Sequence, residues 1–341
     1  MAASPSYDRF VGVDIAATTA AVAWQRLDAP LTRALTFPQT PAGSAALQQR
    51  LLATGVTPAR TLVVMEATGS YWITLATSLH QAGYAVSVIN PAQAHAFAKA
   101  LLKRAKTDAI DAQTLTQLAA LLQPAPWTPP PAVYHELKQR LTQRDALLDL
   151  RQQVRNQRHA LLQHPFVVAA VQERMDSLLA TLTAQIAAVE AELLPALQQD
   201  AAWAAAAARL QTLKGVGLLT ASWLLVSTLC FTTCPTPEAA TAYAGLAPNE
   251  RSSGTRVYHR PRIGHTGNAR LRTALYMATL SATVRNPVIK PFYDRLRAAG
   301  KPMKVARCAA ARKLLHLAWA LVTKAQDFDP AYAQRQQASA M

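Results

Sequence analysis

Acid is scarce in this chain. Its 341 residues carry 19 Asp and Glu against 35 Lys and Arg, a formal net charge of +16 and a pI of about 10.2. So little negative charge argues against a chain built to hold basic partners and favours polyanions. Cysteine is scarcer: Cys230, Cys234 and Cys308 are the only three. They form no disulfide framework, which suits a reducing compartment. Cys230 and Cys234 are spaced like half a zinc site, but no second His/Cys pair follows, so they read as small buried hydrophobes. No signal-peptide pattern opens the chain and no uninterrupted apolar stretch reads as long enough to span a bilayer, so a cytoplasmic chain without a membrane segment is expected. The Ala- and Leu-rich runs at 115–122 and 218–229 are short and read as core helices.

The basic residues are unevenly placed. Between Arg251 and Pro330 there are sixteen Lys and Arg, opposed only by Asp294, Asp327 and Asp329. They alternate with structured apolar segments and do not form one amphipathic helix, so nucleic acid is favoured over a solvated basic face or an anionic membrane surface.

Along the first third the hydrophobic period alternates. Apolar, β-branched runs at 10–15, 20–24 and 34–37 read as three strands. A helix follows over 44–52, a buried strand over 61–65 ending at Glu66, a helix over 71–82, a fifth strand over 85–89, and helices over 92–102 and 108–122. That order is the order of the ribonuclease H-like fold, an α/β domain spanning 1–123. Residues 124–132 read as a Pro-rich linker, since five prolines between Gln123 and Ala132 cannot continue a helix. A helical coiled-coil region follows over 133–200, as a pair of long helices broken near His164-Pro165. The second carries Val171, Met175, Leu178, Leu182, Ile186, Val189 and Leu193 at near-heptad spacing. This seam fits a dimerising coiled coil or an intramolecular helical hairpin. A mainly α domain is expected over 201–330, and a tail over 331–341. Within it, Lys214-Gly215-Val216-Gly217 between two helices fits either a phosphate-binding hairpin or a plain capping turn. Residues 246–267 read as irregular, and helices are expected over 271–284 and 305–322.

Four of the scarce acids stand out. Asp14 and Glu66 close the first and fourth strands, which are neighbours in such a sheet. Asp108 and Asp111 are three apart on a helix and share a face. Four carboxylates held together near apolar strands are costly unless a cation compensates. Hard oxygen donors suit Mg²⁺, and two such ions serve phosphoryl transfer. The plainer reading makes Asp108 a helix N-cap and Asp111 a first-turn acid. Ser252 and Ser253 precede Gly254 in a basic stretch, where serines are ordinarily turn residues; a serine nucleophile needs a base or metal to activate it.

Several blocks carry a family resemblance: GVDIA around Asp14, VVMEATGSYW around Glu66, SVINPAQAHAFAKA, KTDAIDAQTLTQLA around Asp108 and Asp111, then LKGVG, TAYAGLAPNERSSG and GNARLRTALYMA. In order and spacing, from about Arg9 to Val322, they resemble the IS110 family of insertion-sequence transposases, which are DEDD, RuvC-like, bridge-RNA-guided recombinases. The resemblance implies that Asp14, Glu66, Asp108 and Asp111 hold Mg²⁺, two ions per site. It implies that Ser253 forms a covalent phosphoserine with a cut DNA strand, with Ser252 the adjacent alternative. It implies donor and target DNA and an element-encoded guide RNA as partners. It implies a homo-oligomer, dimer to tetramer, associated with the nucleoid. Lys214, Arg251, Arg256, Arg260, Arg262, His265, Arg270 and Arg272 are the candidate nucleic-acid contacts. The chain departs from the family at Ala16-Ala17, where many relatives carry Ser-Lys, and at His265, where Lys is usual. A metal-only RuvC-like junction endonuclease and a non-catalytic nucleic-acid-binding protein are the alternatives.

Overall fold

The computed structural model describes residues 7–103, 107–253, 257–264 and 266–331, with the backbone alone for 249–253 and 257–262. Arg256, His265 and all but the first residue of the expected tail lie outside the described residues. The chain forms two compact units, Met1–Pro129 and Pro130–Met341.

The first unit runs β1 (Arg9–Ile15), β2 (Thr19–Arg26), β3 (Leu35–Pro38), α1 (Pro41–Leu52), β4 (Thr61–Glu66), α2 (Trp72–Gln81), β5 (Ala85–Ile89), α3 (Pro91–Ala100) and α4 (Asp108–Leu122). The sheet order is β3-β2-β1-β4-β5. β2 lies antiparallel to β1 and β3, whereas β1, β4 and β5 are parallel. β1 and β4 are central and covered on both sides, which is why each reads as a continuous apolar run. Val11, Val13, Val63 and Met65 pack with Leu47, Leu51, Leu75 and Leu79 on the α1–α2 side. Phe10, Leu62 and Val64 pack with Ala94, Leu115 and Leu118 on the α3–α4 side.

Gly12 sets how closely α4 approaches the sheet. A Cβ there would stand 2.2 Å from the Ala112 carbonyl oxygen and 2.3 Å from the Thr116 nitrogen. The missing side chain lets the helix backbone lie directly on β1, and the Gly12 N–H donates to Thr116 Oγ1 at 3.0 Å. The same hydroxyl lies 3.0 Å from the Ala23 carbonyl oxygen on β2. Arg9, fully buried at the start of β1, is held by neutral acceptors: Thr61 Oγ1 at 2.7 Å, the Val56 carbonyl at 3.2 Å, the Leu51 carbonyl and Thr54 Oγ1. It ties β1 to the segment after α1.

The proline-rich stretch is not the free linker expected. Trp127 N–H donates to the Val86 carbonyl at 2.6 Å, and Ser87 Oγ lies 2.6 Å from the Pro124 carbonyl oxygen. The Trp127 ring packs edge-on against Trp72 with centroids 5.4 Å apart. The segment is a strap along β5, the sheet's edge strand, and it covers backbone groups that would otherwise invite another strand. Proline suits this position because only one N–H is needed here. Trp127→Ala is expected to cost the first unit about 2 kcal/mol, less than a fully buried Trp because the ring is half-exposed. Urea denaturation followed by circular dichroism measures it; a loss near zero would mean the strap does not hold the edge.

The second unit runs α5 (Ala132–Leu161), α6 (Ala169–Gln198), α7 (Ala201–Thr212), α8 (Leu218–Thr228), α9 (Pro237–Tyr243), β6 (Asn249–Ser253), β7 (Val257–Arg262), α10 (Ala269–Arg285), α11 (Ile289–Ala298) and α12 (Met303–Thr323). α5 and α6 form an intramolecular antiparallel hairpin. Arg140 pairs with Glu192, Arg144 with Glu190, and Arg158 with Asp176, so one helix climbs as the other descends. Of the near-heptad seam, Leu182, Ile186, Val189 and Leu193 are buried, while Leu178 is exposed. Contrary to expectation, α6 is long and apolar enough by length and composition to cross a membrane. Its Ala, Leu and Thr content raises its hydropathy, yet it packs one face on α5 and pairs Glu190 and Glu192 with arginines. Leu197 of α6 lies with Trp203, Leu210, Leu224, Leu275 and Leu314 in a core that the helical pair shares with the helices after it.

Three elements, β6, β7 and α11, differ from the sequence reading. Residues 249–253 and 257–262, expected to be irregular, form the antiparallel pair β6–β7; the two segments have few strand formers beyond Val257 and Tyr258, so no alternation announces them. α11 was not expected because Pro287 and Pro291 flank its start; Pro291 falls in the first turn, where its missing N–H has no intrahelical partner to lose. The cysteines are buried or half-buried, and burial pushes the Cys230 thiol up to about 12.

Candidate metal centre and nucleic-acid surface

β1 and β4 pair in parallel with Val13 opposite Met65, so one step further Asp14 stands beside Glu66. Alternation along the strands puts Asp14 on the face of Gly12 and Glu66 on the face of Val64, which is the α4 side. The N-cap of α4 is Thr107, whose Oγ1 accepts from the Ile110 N–H at 3.3 Å. Asp108 is therefore not the cap, and the plainer account of that residue falls. Asp108 and Asp111 both lie in the first turn. Ala112, the residue after Asp111, touches the Gly12 backbone, so the closeness of helix and strand brings the four acids into one field.

That field is visible in Asp14. Burial, then the charges of Asp111, Asp108 and Glu66, push its carboxyl up to about 6, against a smaller opposing hydrogen bond from the Ile15 backbone. Glu66 Oε1 accepts from Thr68 Oγ1 at 2.7 Å. Among the described residues, no three acid, His or Cys groups stand close enough as placed to close a coordination shell. The chemistry of the set nevertheless fits a divalent cation: four hard oxygen donors, mutually repelling, one of them driven toward its protonated form.

Ser253, the last residue of β6, pairs with Val257, the first of β7. Ser252 pairs with Tyr258, and Arg251 with His259. Arg260 and Arg262 lie on β7. Lys214 lies in the α7–α8 loop and is exposed, and Gly217 caps α8 without a side-chain bond. Two of the expected nucleic-acid contacts are engaged within the protein. Arg270 lies 2.8 Å from Oδ2 of the buried Asp145 and over the Trp223 ring at 5.2 Å. That ion pair falls outside hydrogen-bond angles, so Asp145 Oδ2 has charge compensation without a directed bond. Burial, the largest influence, raises the Asp145 carboxyl, and Arg270 and Arg144 oppose it. Arg272 donates to the Ala244 and Thr266 carbonyls, both at 3.1 Å. Counting cations along a sequence does not reveal such internal partners. Gly12 and Thr116, which position the acid-bearing helix, also went unread; a glycine inside a buried strand is the one signal that pointed there.

Residues 11–167 match the DEDD transposase model of IS110, described as Transposase, and residues 207–294 match the model described as Transposase IS116/IS110/IS902 family. The chain is 30% identical over 268 residues to the pilin gene-inverting protein of Moraxella bovis, covering 78% of this chain and 81% of that protein. Its Moraxella lacunata counterpart matches to the same extent. An insertion element IS110 protein of 43.6 kDa from Streptomyces coelicolor is 36% identical over 115 residues, 33% of this chain and 28% of that one. A mixed α/β unit followed by a mainly helical one, with these matches across both, defines a DNA recombinase of the transposase class. The chain belongs to the IS110 family of insertion-sequence transposases.

Proposed function

We propose that this chain is an RNA-guided recombinase that cuts and exchanges DNA strands, with a ribonuclease H-like first unit carrying a Mg²⁺-dependent acid site and a serine nucleophile on the second. The observation that carries this reading is the placement of Asp14 and Glu66 at the ends of adjacent parallel strands, with Asp108 and Asp111 in the first turn of the helix that lies on β1, where burial and the neighbouring charges raise the Asp14 carboxyl. The sheet order β3-β2-β1-β4-β5 supports the ribonuclease H-like assignment. Asp14, Glu66, Asp108 and Asp111 would hold two Mg²⁺ ions, which when bound supply positive charge to the scissile phosphate.

The remaining steps belong to the chain. Ser253 Oγ attacks phosphorus, a bond forms between them, and the bond to one deoxyribose oxygen breaks. The serine proton ends on that leaving oxygen, giving a free hydroxyl and a phosphoserine ester. Attack by a hydroxyl of another strand reverses the step and returns the proton to serine, so no external energy source is consumed. Its place directly before Gly254, as in the Ser-Gly pattern of the family, favours Ser253 over Ser252. Lys214, Arg251, Arg256, Arg260, Arg262 and His265 would hold backbone phosphates, while Arg270 and Arg272 position α10, the element after β7. A guide RNA from the same element would pair with donor and target DNA, and the working assembly is a homo-oligomer of two to four copies at the nucleoid. The name of the Moraxella relatives, pilin gene-inverting protein, supports chemistry that cuts and rejoins without loss of DNA.

The test mixes the full chain with Mg²⁺, the RNA from the element's flank, and donor and target DNA, followed by a denaturing gel. An RNA-dependent protein–DNA adduct is expected, abolished in Ser253→Ala and kept in Ser252→Ala. The reverse pattern would move the nucleophile to Ser252. Cleavage without any adduct would overturn the serine step and identify a nuclease in which water attacks.

A further inference from the structure

Lys214 and Gly215 in the α7–α8 loop, with Ser281 and Arg285 on α10, line an open cleft of about 530 Å³. The two cations come from distant parts of the sequence, and the fold holds their backbones together. Gly215 has φ +107, and a Cβ there would stand 2.6 Å from Ala282 Cβ, so only glycine lets the loop lie on α10. Asn286, fully buried at the end of α10, donates from Nδ2 to the Lys214 carbonyl at 2.9 Å. Its Oδ1 accepts from the Val288 and Ile289 N–H groups at 2.9 and 3.1 Å. One side chain thus fastens the loop bearing Lys214 to the helix end bearing Arg285. Both cations are exposed, and among the described residues neither forms an ion pair. Like charges held across a cleft repel unless an anion sits between them. Ser281 lies one helical turn before Arg285 and adds a hydroxyl donor to the same face.

We infer that this cleft is a cradle for one phosphodiester group of a nucleic-acid backbone, held by Lys214, Arg285 and the Ser281 hydroxyl. The inference rests on the recombinase reading, in which Lys214 meets backbone phosphate, and adds Ser281 and Arg285 as the residues that complete the site. DNA and RNA offer the same phosphodiester, so the test uses both. Fluorescence anisotropy of the full chain with a mixed-sequence duplex DNA, and separately with a mixed-sequence single-stranded RNA, is followed across salt concentration.

The double variant Lys214→Gln/Arg285→Gln is expected to bind roughly tenfold more weakly near 0.15 M salt, with the slope of log affinity against log salt reduced by about 0.9 on duplex DNA or about 0.7 on single-stranded RNA. Ser281→Ala is expected to weaken binding two- to threefold, a neutral hydrogen bond's share, with the slope unchanged. Arg285→Lys keeps the slope. Loss on DNA alone assigns the cradle to DNA, loss on RNA alone to RNA, and loss on both to either backbone. Slopes unchanged on both probes overturn the inference. If the double variant melts early, the single Lys214→Gln and Arg285→Gln variants give the same reading. No chemistry is read, so an inactive Ser253 leaves this result intact, and an idle cleft leaves the serine test intact.

Discussion

Asp14→Asn is expected to abolish strand cleavage while raising the melting temperature of the metal-free protein at pH 7.5. Both effects come from one environment. The folded Asp14 carboxyl titrates near 6 against 3.8 in the unfolded chain. The native state therefore holds the proton more tightly, and stability from this group declines as pH rises from about 4 to about 6, then stays flat. The rise corresponds to at most about 3 kcal/mol, and solvent screening at this half-open site brings it to about 1–2. Asparagine keeps the shape and removes the charge, so a gain of several degrees is expected, largest above pH 6 and vanishing below pH 4. Mg²⁺ should raise the wild-type melting temperature and leave the variant nearly unmoved, since ions that bind only the native acid set stabilise it by mass action. Activity should fall at least about a thousand-fold, because the phosphate charge is no longer met. Differential scanning fluorimetry over pH, with and without Mg²⁺, checks the stability half, and a cleavage assay the other. A variant less stable than wild type at pH 7.5 would show that Asp14 is satisfied by partners inside the fold.

Gly12→Val is expected to leave the first unit unfolded, and Gly12→Ala to cost about 3 kcal/mol or more. The contacts a Cβ would meet are backbone atoms of α4 at 2.2 and 2.3 Å, which no rotamer change relieves. The helix must lift from the sheet, losing the Gly12-to-Thr116 hydrogen bond and opening the core around Ala112 and Leu115. A domain with a total stability of about 5–15 kcal/mol survives Gly12→Ala poorly and Gly12→Val hardly at all. Where Gly12→Ala still folds, Asp108 and Asp111 move away from Asp14, and the Asp14 carboxyl should titrate closer to its ordinary value. Chemical denaturation gives the stability, and carbon-detected NMR titration of Asp14 gives the displacement. An unchanged titration in a folded Gly12→Ala protein would mean α4 does not hold its acids by resting on β1.

The positions of the four acids could be read from the sequence because they lie at element boundaries: β1 ends one residue past Asp14, β4 ends at Glu66, and α4 begins at Asp108 with Asp111 in its first turn. β-branched runs and a helix start are local signals, and the neighbouring position of the first and fourth strands follows from their order. What brings the acids close was not local. Gly12 acts through a backbone contact with a residue 100 positions away, and Thr116 through a hydroxyl that bridges two strands. The β6–β7 pair escaped because its residues alternate no apolar face, and α11 because its prolines mimic a break. The near-heptad seam left two occupants open, and α5 takes its lower half. Charge was the least legible quantity. Arg270, Arg272 and Arg285 look alike along the chain, yet the first two are engaged by a carboxylate or by backbone carbonyls, and the third is left facing an open cleft.

The strap also bears on the order in which the first unit can be completed during synthesis. A ribosome releases the chain from its N-terminus, and domains generally fold as they emerge. All five strands and their covering helices are available before the strap is, because Ser87 must wait 37 positions for its partner Pro124, and Val86 slightly longer for Trp127. For that interval, in which α3 and α4 also emerge, the outer edge of β5 is an unfinished seam with which another nascent copy on the same message can pair. Closure comes with a segment whose prolines can cap an edge but cannot extend a sheet.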